Sequence, residues 1–174
     1  HLKRISALWS RFNDAAVDNP NAWIRKNISA EDIRTPSPSN RPISYPYTKL
    51  MNSNNSVDQG AALILTSVGK ARQLGIPESK WVYPYAGAEA WDHLYVSERD
   101  TLHTSPAIRF ASTRLFDMAA LTPGDMDHVD LYSCFPAAVQ VAANEIGLPL
   151  DRPLTTTGGL TFAGGPLNNY VMHS

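Results

Sequence analysis

With 174 residues, 43% of them apolar and 18% charged, the chain has material for one packed domain and is too apolar to be disordered. Its formal net charge of −1 gives no electrostatic footprint for nucleic acid or an anionic membrane surface, and no run approaches the roughly 18 apolar residues of a membrane span. A single cysteine, Cys134, excludes an internal disulfide framework and fits a reducing, cytoplasmic compartment.

Leu2, Ile5, Leu8, Trp9, Phe12, Ala16 and Val17 recur at spacings of three and four, which predicts an amphipathic helix over 2–17. Asn19-Pro20-Asn21 ends it, because proline disfavours helical backbone in the residue before it. Ser29, followed by Glu31 and Asp32, marks a short helix start. Pro36, Pro38, Pro42 and Pro46 then impose an irregular, largely extended stretch, whose Tyr45 and Tyr47 favour a loop packed on the body over a free linker. The texture divides the chain into a helical and proline-rich segment, 1–44, and an α/β region, 45–174.

After the polar, turn-rich residues 50–60, the apolar run 61–67 predicts a strand buried on both faces. A short helix over 68–74 follows, closed by Gly75 and Pro77. Residues 81–88 predict a second strand, with Pro84 pushing it towards an edge. His93 and His103 stand ten residues apart in a polar stretch, without the neighbouring ligands a metal needs. Ser105-Pro106 opens a helix that reaches Leu121, 128–133 predicts a third strand, and a helix from Pro136 ends at Gly147. The order β-α-β-α-β-α-β-α argues for an α/β layered domain, in which sites gather where strands hand over to helices.

Two such junctions carry chemistry. In 157–166, four glycines flank a short apolar run and Pro166 opens a helix-like segment: strand, tight turn, helix N-terminus. Such an end suits an anion or a developing oxyanion. At the other junction, Cys134 lies where a helix N-terminus would lower a thiol's pKa, or it is a small buried hydrophobe. Tyr132 at the same strand end would offer a hydroxyl, or pack. His173 lies eight residues beyond Gly165, within reach if its helix turns it back. The chain opens at His1 with no apolar leader and stops within a helix-like stretch, so it reads as a fragment of a longer polypeptide, some catalytic groups being expected outside it.

Gly158-Gly159-Leu160-Thr161-Phe162-Ala163-Gly164-Gly165-Pro166 resembles the thiolase segment GGAIALGHP. Val129-Asp130-Leu131-Tyr132-Ser133-Cys134-Phe135 resembles the strand ending in NEAF in common thiolases and HDCF in sterol carrier protein-type thiolases. Residues 57–65 are similar to the DGAAA strand, and Ser105-Pro106-Ala107-Ile108-Arg109 to the GPVPAI helix start. The four motifs stand in family order over about 45–174, while 1–44 loosely resembles the loop region in which thiolases bind CoA.

The resemblance implies a thiolase-like layered α/β fold, βαβαβ units with helices on a mixed sheet, incomplete in this chain. It also implies an acetyl-CoA acetyltransferase-type acyltransferase acting on acyl-CoA thioesters, with CoA a substrate, no bound cofactor and no metal. Two motif positions depart from the family: Gly165 replaces the GHP histidine, and Tyr132 the HDCF histidine. Cys134 falls on the HDCF cysteine, not on the family's attacking one. The expected catalytic set is therefore Tyr132, Cys134 and His173, with Ser133, Phe135, Gly164, Gly165 and Asn168 against substrate. The alternative is a catalytically inactive CoA-binding or scaffold subunit. In either reading the partner is CoA or acyl-CoA, without nucleic acid or membrane, and the chain forms a homo-oligomer or joins a partner subunit through the thiolase sheet.

Overall fold

The amphipathic spacing at the N-terminus forms helix α1, Leu2–Asp18, in a computed structural model that describes all 174 residues. Ile5, Leu8, Trp9, Phe12 and Ala16 are its buried face, and the rings of Trp9 and Phe12 stack at 4.9 Å. Asn13 is buried on that helix too, and is satisfied: its Nδ2 donates to Lys26 O at 3.0 Å and its Oδ1 accepts from Ile28 N–H at 2.7 Å. Those two bonds lay the 26–28 segment along α1 and deliver the chain to α2, Ala30–Arg34, where the Ser29 hydroxyl accepts from Asp32 N–H.

The proline-rich stretch packs on α2. Buried Asn40 donates to the carbonyls of Asp32, Ile33 and Thr35 and accepts from Leu50 N–H, while the Thr48 hydroxyl donates to Ile33 O at 2.6 Å. Between these anchors a two-stranded antiparallel ribbon forms from β1, Pro42–Ser44, and β2, Tyr47–Thr48, with Pro42 opposite Thr48 and Ser44 opposite Tyr47. Of the two tyrosines only Tyr47 packs, stacking on Phe135 at 6.2 Å; Tyr45 is 96% exposed.

The remaining helices lie where capping chemistry puts them. They are α3, Val68–Gln73, α4, Pro106–Ala119, α5, Pro136–Ile146, and a single turn α6, Gly159–Phe162. Ser67 and Ser105 cap α3 and α4, and Gly147 closes α5 at φ +84°. Glu145 on α5 ties the start of α4 to it, accepting from Ser105 N–H at 3.1 Å and pairing with Arg109 at 2.8 Å.

Three stretches expected as strands, 61–67, 81–88 and 128–133, carry no ladder; β1 and β2 are the chain's one sheet. A strand is completed by its neighbours, and the apolar groups of the first two meet none here: Leu63, Ile64 and Leu65 are 67%, 87% and 84% exposed. The third is seated differently, Leu131 N–H donating to Leu154 O at 3.0 Å with Leu131 and Ser133 buried. The glycine-flanked run is also corrected. Its Leu160, Thr161 and Phe162 lie in helical α6 rather than a strand, and Pro166 leads into a 3₁₀ helix, Leu167–Met172.

One core joins the two ends of the chain. Ile5 to Ala16 of α1 and Ile33 of α2 pack with Met51, Leu131, Val139 and Ala143 of α5, Leu154, Phe162 and Ala163. Truncating a ring such as Phe12 to alanine would cost about 3–5 kcal/mol. The glycine turn, 157–165, is buried throughout against this core.

Candidate active site

The order of the site begins at one carboxylate. Asp130 Oδ2 accepts from the hydroxyls of Thr155, Thr156 and Thr157 at 3.0–3.1 Å, and from the N–H groups of Thr156 and Thr157 at 2.8 and 3.2 Å. Its Oδ1 accepts from the Tyr170 hydroxyl at 2.8 Å. The threonine hydroxyls pass the arrangement onward, accepting from Gly158 N–H and Gly159 N–H at 3.0 and 3.2 Å. A carboxylate offers about four lone-pair directions, and here donors from three separate stretches share them. Burial, and then the nearby Asp130 charge, hold the Tyr170 phenol well above its ordinary range.

Onto this base the two junctions converge, with residues 53 and 54 threaded between them. Ser53 N–H donates to Cys134 O at 2.8 Å. Asn54 turns the other way, its N–H donating to Leu160 O and its carbonyl accepting from Gly165 N–H, both at 2.9 Å. That alternation is the habit of an extended chain bridging two neighbours. Thr161 fixes the same crossing from below, donating to Asn52 O at 2.8 Å and accepting from Trp9 Nε1 at 3.2 Å.

The expected site residues fall into groups. Tyr132 is 56% exposed, its ring edge-on to Tyr170 at 6.2 Å. Ser133 faces inward: it is fully buried and its hydroxyl accepts from Leu160 N–H at 3.1 Å. Cys134 is half-buried one residue before Phe135, the N-cap of α5, and burial pushes its thiol up, outweighing the helix-end effect expected to lower it. Phe135 stays 40% exposed against Tyr47. Gly164 has φ +120° and lies under the Gln59 amide, whose nitrogen donates to Ala163 O at 2.7 Å and Asn21 O at 3.0 Å. Gly165 is buried beside residues 53–55. Asn168 is exposed, and half-exposed His173 pairs with Asn169 at 3.3 Å, which in turn donates to Gln59 O at 3.3 Å. His173 is thus linked to the Gly164 side of the turn through two residues.

Sequence reasoning passed over Asp130, Tyr170 and the 53–55 thread. The signals for the first two were a threonine triplet abutting the glycines and a lone tyrosine after them. For the thread it was a polar Asn-Ser run just ahead of an apolar one.

The larger depressions lie elsewhere. One of about 500 Å³ is walled by Trp91, Asp92, His93, Arg99 and the start of α4, and one of about 260 Å³ lies between α1 and Leu150. In the first, Asp92 accepts from the Ser105 hydroxyl and from Ala107 N–H, and the Ser105 bond holds its carboxyl below the usual range. No three potential metal ligands gather anywhere, and no helix is long and apolar enough to cross a membrane.

No protein-family model matches the chain. It is 26% identical over 172 residues to the acetyl-CoA acetyltransferase of Methanothermobacter thermautotrophicus, covering 89% of this chain and 43% of that protein. The acetyl-CoA acetyltransferase of Methanocaldococcus jannaschii is 24% identical over 142 residues, or 81% of this chain and 35% of its own length. Among solved structures, a monomeric SCP2-thiolase like protein type 1 from Mycobacterium smegmatis superimposes with a TM-score of 0.83 and 34% identity over 99% of this chain and 38% of that one. A structure described as the Ltp2-ChsH2(DUF35) aldolase matches with a TM-score of 0.67 and 19% identity, over 94% of this chain and 47% of that one. The chain thus spans less than half the length of each of these proteins.

Proposed function

The chain belongs to the thiolase superfamily, as an SCP2-thiolase-like protein carrying part of the thiolase-like α/β fold, and on that premise we propose that it serves an acyltransferase site for acyl-CoA thioesters with an altered catalytic set. The observation that carries this reading is the crossing at 53–54, hydrogen-bonded to the Tyr132–Phe135 strand end on one side and the Gly164–Gly165 turn on the other. It brings together the two motifs through which thiolase-type sites stabilise a thioester oxyanion.

In the proposed reaction a nucleophile adds to the thioester carbonyl, the C–S bond breaks, and the departing CoA sulfur takes up a proton. The exposed Tyr132 hydroxyl donates to the carbonyl oxygen as charge develops there; one such donor is worth about a hundred- to a thousandfold in rate. Cys134, kept as a thiol, suits proton donation better than attack. His173 is the proposed base, since Gly165 offers no imidazole. Phe135, Gly164, Gly165 and Asn168 line the substrate, and Ser133 holds the turn from beneath through Leu160 N–H.

A second reading is a catalytically inactive CoA-binding or scaffold subunit. The glycine at the GHP position and the raised Cys134 thiol favour it, and the two-component name of the Ltp2-ChsH2(DUF35) neighbour supports docking to a partner chain. An acetoacetyl-CoA thiolysis assay beside calorimetric titration with CoA separates the two on the full-length protein. Turnover supports the enzyme, and binding without turnover supports the subunit. Absence of both overturns the CoA-thioester site.

A further inference from the structure

Gly165 is not a glycine for the sake of its backbone. Gly158, Gly159 and Gly164 have φ between +73° and +120°, where L side chains are strained, whereas Gly165 lies outside that region. What a side chain at 165 would meet is the 53–55 thread. Its Cβ would lie 3.2 Å from Asn55 Oδ1, 3.4 Å from Asn54 O and 3.4 Å from Ser53 Cβ. The glycine makes room for Asn55.

Residues 53 and 55 lie on one face of the thread and Asn54 on the other, as extended chain dictates. Asn54 spends its side chain locally, its Oδ1 accepting from Ser56 N–H at 3.3 Å. The Asn55 side chain is exposed instead, with its carbonyl end towards Gly165 and its two amide hydrogens towards solvent. Beside it, Ser53 adjoins Cys134 through its own N–H. A neutral amide donor has thus taken the space over the turn that a side chain at 165 would need. An amide cannot accept a proton at neutral pH as imidazole does, but it donates a hydrogen bond to a carbonyl oxygen at any pH at which the protein is folded.

We infer that Asn55, in the space left by Gly165, is a specificity-determining residue that hydrogen-bonds the acyl carbonyl of a CoA thioester and so separates acyl-CoA from free CoA. The inference rests on the acyl-CoA reading of the site. The two ligands share the whole CoA moiety and differ only in the acyl group, so the Asn55 contact affects one and not the other.

The test is calorimetric titration of the full chain with acetyl-CoA and, separately, with CoA, for the wild type, Asn55→Ala, Asn55→Asp and Gly165→His. Asn55 is exposed, so its variants keep the wild-type melting temperature, which is checked first. Asn55→Ala is expected to weaken acetyl-CoA about three- to tenfold, the loss of one hydrogen bond, and to leave CoA unchanged. Asn55→Asp, which removes both donors, weakens acetyl-CoA at least as much. Gly165→His, whose ring displaces the Asn55 amide, lowers the ratio of the two affinities in the same direction. Equal shifts for both ligands, or no shift in Asn55→Ala, would overturn the role of Asn55 while leaving the CoA site standing. A wild type that binds neither ligand overturns the site and the inference with it.

Discussion

Gly158→Ala probes the seat of the glycine turn on α1. Gly158 has φ +106°, and an added Cβ would run into Ala16 Cβ and stand 2.7 Å from Ala16 Cα and 2.8 Å from its nitrogen. The last two atoms are helix backbone and cannot swing aside. Holding an L residue at such a φ costs about 1–3 kcal/mol, and overpacking against a rigid neighbour about 1–3 kcal/mol more. The sum, about 2–6 kcal/mol, is a large share of the about 5–15 kcal/mol that holds a domain folded. Urea unfolding followed by tryptophan fluorescence reads it, because Trp9 is fully buried against Phe12 and Thr161. Gly165→Ala is the control: its backbone is ordinary and its nearest neighbour is the exposed Asn55 side chain, so its loss stays within about 1 kcal/mol. Adding Ala16→Gly to Gly158→Ala should recover only part of the deficit, since the Ala16 Cα and nitrogen remain. A loss under about 1 kcal/mol at 158, or equal losses at 158 and 165, would refute the reasoning.

Two further outcomes follow from the titrating groups. The folded-state pKa of Tyr170 is raised, so the protonated phenol favours the native state; that contribution is complete below the ordinary tyrosine value of about 10 and is lost as pH rises through and beyond it. Urea midpoints between pH 8 and 11 should therefore fall more steeply for the wild type than for Tyr170→Phe, and parallel slopes would contradict the assignment. The Cys134 thiol is also raised, by burial, so iodoacetamide should label it more slowly at pH 7.5 than a free cysteine and accelerate only above about pH 8.5. Faster labelling at neutral pH would mark an activated thiolate instead.

The helices were legible because their signals are local. The three- and four-residue spacing of α1, the Ser29 and Ser105 caps and the Gly147 stop act within a turn or two of themselves, and each stands where it was expected. The apolar runs at 61–67 and 81–88 were read from composition alone, which says that a strand suits the residues and nothing about what pairs with them. In 158–162 the positive φ of Gly158 and Gly159 starts a helical turn, whereas the same glycines also fit a hairpin. For the site, the two motifs were visible as strings, and their meeting was not. The hydrogen bonds that join them run through Ser53 and Asn54, residues without a motif of their own. Asp130 was hidden for a related reason: its partners lie 25 to 40 positions along the chain.

The bond from Trp9 to Thr161 spans 152 residues, and it sets an order of events during synthesis. At about 5–20 residues per second, the turn that seats on α1 leaves the ribosome about 8–30 seconds after the helix does. Throughout that interval Trp9 and Phe12 lack Phe162 and Thr161 as neighbours. The helix emerges early with its apolar face open, and its last partners in the core are among the last residues made. A nascent chain of this protein is therefore a client for holdase chaperones at its first helix, and the site cannot assemble until the glycine turn has been synthesised and has closed over it.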